Sequence, residues 1–368
     1  MANKIPIRIL DGGLGTTLET NYGYKFSSST PLWSSHLLVT DQGTLLNCHQ
    51  AFAEAGAEII STATYQTSIE GFAATETSKR PSGVATLYIP SFLTSAIELA
   101  SSAISSSSSS NNNNINRQHE LSLTLGPLGA TLLPHSAEYS GLYPSQYSST
   151  AQIEEWHDRR LHLFAQIPSN ILSKVSYLAF ETIPRVDEIK AIRRVMKRNN
   201  EFLGLTGGKF WIAVNFPGEC YTLPDGSGVE EVVNAMLRGD EEEAVPWGVG
   251  INCTKVNKLG RLVGQFEESV NSLVEAGEVR EWPSLVLYPD GTKGEVYDVK
   301  TKRWEVPESE EGKDQVPWEL QVAKVVQETR RKGQWREMLV GGCCRCLPGD
   351  IGRLREAIFG SKPEEKID

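Results

Sequence analysis

The sequence predicts an α/β protein: a closed (β/α)8 TIM-type barrel carrying a low-complexity Ser/Asn loop insertion. Three observations support this. Eight short, apolar, β-branched runs alternate with longer amphipathic stretches from end to end, which is the pattern of βαβ units and a parallel sheet. Eight such units match the strand number of a closed barrel. No dinucleotide-type glycine fingerprint opens the first helix, which argues against an open doubly wound sheet. The 368 residues suit one barrel domain spanning 1–368, because such barrels routinely exceed about 250 residues.

The expected strands cover 7–11, 58–62, 121–125, 177–181, 210–216, 248–252, 285–288 and 338–342. Helical patterns fall between them at 45–55, 153–164, 186–196, 229–237 and 318–329, and 351–358 closes the chain. The clearest is the series Leu259, Leu262, Val263, Phe266, Val270, Leu273 and Val274, which follows i, i+3, i+4, i+7 spacing. Two segments interrupt the rhythm. The homopolymeric run Ser105–Ser110 followed by Asn111–Asn114 buries no side chain of consequence, so 101–117 is expected to be a disordered insertion. The acidic stretch Glu305–Asp314, which contains Pro307, and the run Asp240–Glu243 read as solvated loops.

A net charge of −10 with no Lys/Arg block argues against a nucleic-acid or anionic-membrane surface. No stretch approaches the roughly 18 apolar residues of a transmembrane helix, and the N-terminus lacks the apolar core of a signal peptide, so the cytoplasm is the expected compartment. In that reducing setting the six cysteines read as free thiols, metal ligands or a nucleophile rather than a disulfide framework.

The residues just past each strand carry the chemistry, because the C-terminal strand ends of a barrel converge on one face. Cys253 lies just past the sixth strand; Cys343 and Cys344 lie just past the eighth. Three thiolates there form a soft set that suits Zn²⁺ with a fourth position open. Spacing alone leaves two alternatives: buried small hydrophobes, or a vicinal Cys343–Cys344 disulfide. Cys346 reads as a packing thiol and Cys48 as a core residue. Asp11 precedes three glycines within four residues, and Glu181 ends an apolar strand. Together they could hold an ammonium group; Asp11 could equally serve a turn or helix cap, and Glu181 a salt bridge. The six histidines form no metal pattern, and neither a serine-hydrolase elbow nor a P-loop occurs.

At these residues the chain resembles the homocysteine S-methyltransferase family. The resemblance runs from Asp11-Gly12-Gly13-Leu14-Gly15-Thr16 through Thr62-Ala63-Thr64-Tyr65-Gln66, Leu125-Gly126-Pro127-Leu128-Gly129 and Glu138-Tyr139-Ser140-Gly141. It continues through Phe180-Glu181-Thr182-Ile183-Pro184 and Gly250-Ile251-Asn252-Cys253 to Gly341-Gly342-Cys343-Cys344-Arg345. It implies a zinc ion on Cys253, Cys343 and Cys344, and substrate contacts from Asp11, Gly12, Thr64 and Glu181. It also implies L-homocysteine as methyl acceptor and methionine as product. There are departures: Asp290 stands where the family usually has Asn, and Asn215-Phe216-Pro217-Gly218 follows the fifth strand where small polar residues are more usual.

The Glu138–Tyr143 run and the short C-terminus resemble the members that use S-methylmethionine or S-adenosylmethionine more than the betaine users, which carry a longer arm. The same feature favours a monomer. No cobalamin or folate domain is expected after the barrel. Trp33, Tyr65 and Tyr139 are candidate cation–π partners for a sulfonium donor. Three other readings stay open: a betaine-type or other thiol methyltransferase, a zinc hydrolase, and a non-catalytic barrel with structural zinc.

Overall fold

The structure is a computed structural model that describes residues 5–27, 29–110, 119–292, 295–298, 303–305 and 316–360. The first half of the chain carries strands β1 (Ile7–Ile9), β2 (Ile59–Ser61), β3 (Glu120–Leu125) and β4 (Val175–Ile183). Its helices are α1 (Leu14–Tyr22), α2 (Leu37–Thr40), α3 (Gln42–Ala55), α4 (Ile69–Ala73), α5 (Ile89–Ser110), α6 (Thr150–Phe164) and α7 (Ser169–Leu172). The second half carries β5 (Phe210–Val214), β6 (Gly248–Lys255), β7 (Ser284–Asp290), β8 (Val296–Asp298), β9 (Arg303–Glu305) and β10 (Met338–Val340). The helices there are α8 (Val186–Arg198), α9 (Asn200–Leu205), α10 (Val229–Leu237), α11 (Val256–Glu275), α12 (Trp318–Lys332) and α13 (Pro348–Phe359).

Eight parallel strands form one sheet in the order β1-β10-β7-β6-β5-β4-β3-β2. A parallel bridge between Leu10 and Ile59 joins its two edges and closes the barrel. All eight expected strands are present, so the (β/α)8 expectation holds. Period-two alternation divides each strand between two cores. Tyr177, Ala179, Trp211, Ala213, Val286, Tyr288 and Leu339 fill the barrel interior. Leu178, Phe180, Phe210, Ile212, Leu285 and Leu287 face the surrounding helices. A strand buried on both faces reads as a continuous apolar run, which is why these segments stood out in the sequence.

Three elements depart from expectation. Helix α5 continues through Ser110, so 101–110 belongs to a helix and not to a disordered loop. Serine tolerates a helix at modest cost, and the Ser105 hydroxyl donates to the Ser101 carbonyl at 3.0 Å; 111–118 lies outside the described residues. The second difference concerns the same helix. Thr86–Ser105 has a mean hydropathy of 1.3 and the length of a membrane span, against the expectation that no such stretch exists. Ile, Leu, Phe and Ala raise that mean, with Glu98 the one charged residue of the stretch; Ile89, Leu93, Ala96, Ile97 and Ala100 are fully buried within the protein. Third, Glu243 in the acidic run is buried and pairs with Arg193 at 2.8 Å and Arg194 at 3.3 Å. The other acidic stretch begins at the end of the antiparallel β8–β9 hairpin, and its remainder, 306–315, lies outside the described residues.

Candidate active site and metal centre

Strands β1 and β10 are neighbours, and the loops after them are stitched together by the backbone. Gly342 N donates to Asp11 O at 3.0 Å, Gly13 N to Cys346 O at 2.9 Å, and Arg345 N to the Thr16 hydroxyl at 2.9 Å. Cys343 N reaches Pro289 O at 2.9 Å and Gly291 N reaches Cys344 O at 2.7 Å, tying in the loop after β7. This contact requires glycine. A Cβ at Gly12 would lie 2.5 Å from Cys346 O, and one at Gly13 would lie 2.5 Å from Cys343 O.

These loops bring Cys253, Cys343 and Cys344 together, with their sulfurs all within 4.8 Å of one another. A tetrahedral ion with bonds of about 2.3 Å to sulfur needs sulfurs about 3.8 Å apart, so the group could hold a metal. In the structure Cys253 and Cys343 are joined as a disulfide with Cα atoms 5.5 Å apart; the vicinal pairing considered for Cys343 and Cys344 is not formed. The disulfide and a metal are alternative states of the same two sulfurs, since only the thiolate is a ligand. Burial pushes the Cys344 thiol up to about 12, with Asp290 acting in the same direction; the Tyr139 hydroxyl donates to it and acts against both. A cation would remove that penalty. Cys346 is fully buried against the Pro289 carbonyl, and Cys48 is a core residue of α3, both as expected.

Asn252 supports the sulfurs from inside the barrel. Its Oδ1 accepts from Thr182 N at 2.8 Å, and its Nδ2 donates to the Thr182 hydroxyl at 2.7 Å and lies 4.0 Å from Cys343 Sγ. The Thr182 hydroxyl in turn lies 3.9 Å from Cys253 Sγ.

A cavity of about 130 Å³ opens beside the three cysteines. Asp11, Gly12 and Glu181, for which substrate contacts are expected, line it. The Asp11 carboxylate accepts from Ser61 N at 2.7 Å and Ser61 Oγ at 2.8 Å. Burial outweighs those bonds and pushes its pKa up to about 7. Burial likewise raises Glu181 to about 8, against a hydrogen bond from the Tyr288 hydroxyl and with the help of the Asp11 charge. Trp33, Tyr65 and Tyr139 form further walls. Thr64 is placed differently. Its side chain is fully buried, its hydroxyl donates to Thr124 O at 2.7 Å, and Thr62 lines the cavity in its place. Asp290 turns to its own loop, accepting from Thr292 Oγ1 at 2.6 Å.

Among the described residues, four non-glycine residues take positive φ: Trp33, Thr182, Cys253 and Arg345. The first three line the cavity and the fourth comes directly after Cys344. Each such residue costs on the order of 1–3 kcal/mol. The strain is concentrated at the site.

Two buried charged residues hold the surrounding loops and were not singled out from the sequence. Arg160 on α6 donates to the carbonyls of Gly126 at 2.6 Å, Thr64 at 3.1 Å and Tyr65 at 2.6 Å. Glu188 on α8 accepts from Leu128 N at 2.7 Å, from the Tyr143 hydroxyl, and bonds His157 Nε2 at 2.8 Å. Their spacing was the available signal. Ile153, Trp156, His157, Arg160, Leu161 and Phe164 share one apolar stripe of α6, so the arginine had to be buried.

Known proteins point the same way. A family model described as homocysteine S-methyltransferase matches residues 8–358. Homocysteine S-methyltransferase 2 of Arabidopsis thaliana is 29% identical over 96% of this chain and 93% of its own length. Betaine-homocysteine S-methyltransferase of Drosophila melanogaster is 27% identical over 96% of this chain and 95% of its own. Among solved structures, the metallated form of the homocysteine methyltransferase MmuM from Escherichia coli superposes with a TM-score of 0.65. It covers 95% of both chains at 23% identity, a likeness of fold.

Proposed function

This chain belongs to the homocysteine S-methyltransferase family, and on that premise we propose that it transfers a methyl group from a sulfonium donor to the thiol of L-homocysteine, forming methionine, with Zn²⁺ on Cys253, Cys343 and Cys344. S-methylmethionine is the preferred donor and S-adenosylmethionine a slower one. The observation that carries this reading is one cavity whose walls include three cysteine sulfurs, three carboxylates and four aromatic rings.

Each wall has a task. Asp11 and Glu181 take the substrate ammonium; the cation restores the charge that burial otherwise suppresses. When bound, zinc supplies a position at which a thiol, ordinarily with a pKa near 8.5, ionises at neutral pH. The rings of Trp33, Tyr65 and Tyr139 suit a cationic donor through their negative faces. In the transfer, an electron pair on the homocysteine sulfur forms the new S–CH3 bond. The old C–S bond breaks and its pair stays on the leaving sulfur, which becomes a neutral thioether. An anion and a cation thus become two neutral groups, a change that a water-poor cavity favours. The leaving group needs no acid catalyst, because it departs as a neutral thioether.

Relatives named for betaine and relatives named only for homocysteine match at similar identity, so overall similarity does not choose the donor. An assay of reduced, zinc-loaded protein with homocysteine and a donor panel does. Methionine should form from S-methylmethionine, more slowly from S-adenosylmethionine, and not from betaine or methyltetrahydrofolate. Turnover with betaine and none with either sulfonium overturns the donor assignment; no methyl transfer from any donor overturns the reaction.

A further inference from the structure

The proposed reaction sets a problem of selectivity. A cysteine thiolate is chemically the same kind of nucleophile as the thiolate of homocysteine, and Cys253, Cys343 and Cys344 line the cavity that the donor enters. Methylating any of them would destroy a ligand, because a thioether carries no charge to hold the ion. The structure shows a feature that distinguishes these sulfurs: each of the three meets a side-chain hydrogen-bond donor.

Asn252 and Thr182, both fully buried, serve two of the sulfurs. The Thr182 backbone N–H can only donate, and Asn252 Oδ1 receives it at 2.8 Å. That contact fixes the orientation of the amide, so its Nδ2 faces the Thr182 hydroxyl at 2.7 Å and Cys343 Sγ at 4.0 Å. The Thr182 oxygen therefore accepts from Asn252, and its own proton is left for Cys253 Sγ at 3.9 Å. The Tyr65 hydroxyl also interacts with Thr182, and burial keeps it protonated and able to donate. Thr182 is held in this place at a φ of 62°, and Cys253 at 44°, conformations that a β-branched residue in particular adopts only when its surroundings impose them. The third sulfur, Cys344, accepts from the Tyr139 hydroxyl. The contacts to Cys253 and Cys343 are long in the disulfide form; a thiolate is the stronger acceptor.

We propose that Asn252, Thr182 and Tyr139 shield the three cysteine sulfurs from methylation, so that the sulfur of the substrate is the one that reacts. This rests on the proposed methyl-transfer reaction. In the step they suppress, an electron pair on a cysteine sulfur forms an S–CH3 bond while the donor C–S bond breaks and its pair stays on the departing thioether. The cysteine loses its negative charge as this happens, and a hydrogen bond to that charge weakens on the way to the transition state. Shielding thus raises the barrier at the protein sulfurs.

The test omits homocysteine. Reduced, zinc-loaded protein is incubated with S-methylmethionine in one arm and with iodomethane in the other, and methylation of each cysteine is followed by peptide mass analysis. Iodomethane needs no recognition by the cavity, so it probes the sulfurs whatever the natural donor is. In Thr182→Val, methylation of Cys253 by iodomethane should accelerate about tenfold, and in Tyr139→Phe that of Cys344 should do the same. The other two cysteines of each variant should stay within about threefold of the wild type. Thr182→Ser, which keeps the hydroxyl, should behave as the wild type. An unchanged rate at the paired cysteine overturns the inference, as does a rise shared equally by all three, which is the signature of a loosened site or lost zinc. If Thr182→Val does not fold, Tyr139→Phe and Cys344 decide alone. A wild type that methylates homocysteine with no donor fails the proposed function instead, and the iodomethane arm still reads the shielding.

Discussion

At the N-terminal end of the barrel Arg8 reaches Glu120, Glu337 at 3.2 Å and the Tyr177 hydroxyl, while Lys209 lies 5.3 Å from the Tyr177 ring and 5.4 Å from the Trp247 ring. At the C-terminal end Asp11 and Glu181 share a cavity that no basic side chain lines among the described residues. The same residue types meet opposite fates within one barrel. At the first end Glu120 and Glu337 both face Arg8, and the network ties β1 to β3, β4 and the start of β10. At the second, burial raises Asp11 and Glu181 with no cation supplied by the cavity walls. A fold that balances its charges at one end and leaves them unbalanced at the other stabilises itself at the first and binds at the second.

The largest effect expected at the binding end is loss of a sulfur. Cys253→Ser, Cys343→Ser or Cys344→Ser should each abolish methyl transfer and most bound zinc, because a hard hydroxyl replaces a soft thiolate in a three-ligand site. Cys346→Ser should retain both, since its side chain packs away from the group. Zinc analysis beside the turnover assay checks this; full zinc and full turnover in Cys344→Ser would remove it from the ligand set.

Charge neutralisation at the two ends should then separate binding from stability. Glu181→Gln removes half of the ammonium contact and should weaken homocysteine binding ten- to a hundredfold, or roughly 1.5–3 kcal/mol, with zinc content and melting temperature nearly unchanged. Arg8→Met leaves Glu120 and Glu337 facing each other without a cation. It should lower stability by about 2 kcal/mol in chemical denaturation while the folded fraction keeps its affinity for homocysteine. If Arg8→Met weakened homocysteine binding as much as Glu181→Gln, the division between the ends would fall.

The legibility of these ends in the sequence differed for physical reasons. Strands such as Phe210–Val214 are buried on both faces and announce themselves as apolar runs. The Gly12-Gly13 and Gly341-Gly342-Cys343-Cys344 blocks mark where backbones touch and sulfurs gather. Helix α1, Leu-Gly-Thr-Thr-Leu-Glu-Thr-Asn-Tyr, has weak propensity and is held by packing, so it did not show. Arg160 and Glu188 look in composition like any solvated charge; only their helical phase reveals burial. Thr64 and Thr62 differ by two residues, and the turn that decides which lines the cavity lies in backbone angles. The positive φ at Thr182 and Cys253 is likewise set by tertiary contacts.

The mildest expected effect is the pH dependence of the binding end, and it carries a definite sign. The folded pKa values of Asp11, about 7, and Glu181, about 8, lie above their ordinary values of 3.8 and 4.5. Groups raised in this way favour folding while protonated, and that contribution is lost as pH rises through the folded values. The substrate-free protein should therefore melt at a lower temperature at about pH 8.5 than at about pH 6. Ammonium binding needs the ionised carboxylates, so affinity should move the other way and strengthen over the same window. The slope should approach tenfold per pH unit at most for each carboxylate that must ionise. Homocysteine itself confuses this measurement, because its thiol titrates nearby. A ligand such as 2-aminobutyrate, which keeps the amino-acid head and lacks the thiol, isolates the carboxylates. Glu181→Gln removes one of the two titrations and should flatten the curve while leaving the part due to Asp11. An affinity for 2-aminobutyrate that is flat across this window, in wild type and variant alike, would mean that the ammonium is held elsewhere than between Asp11 and Glu181.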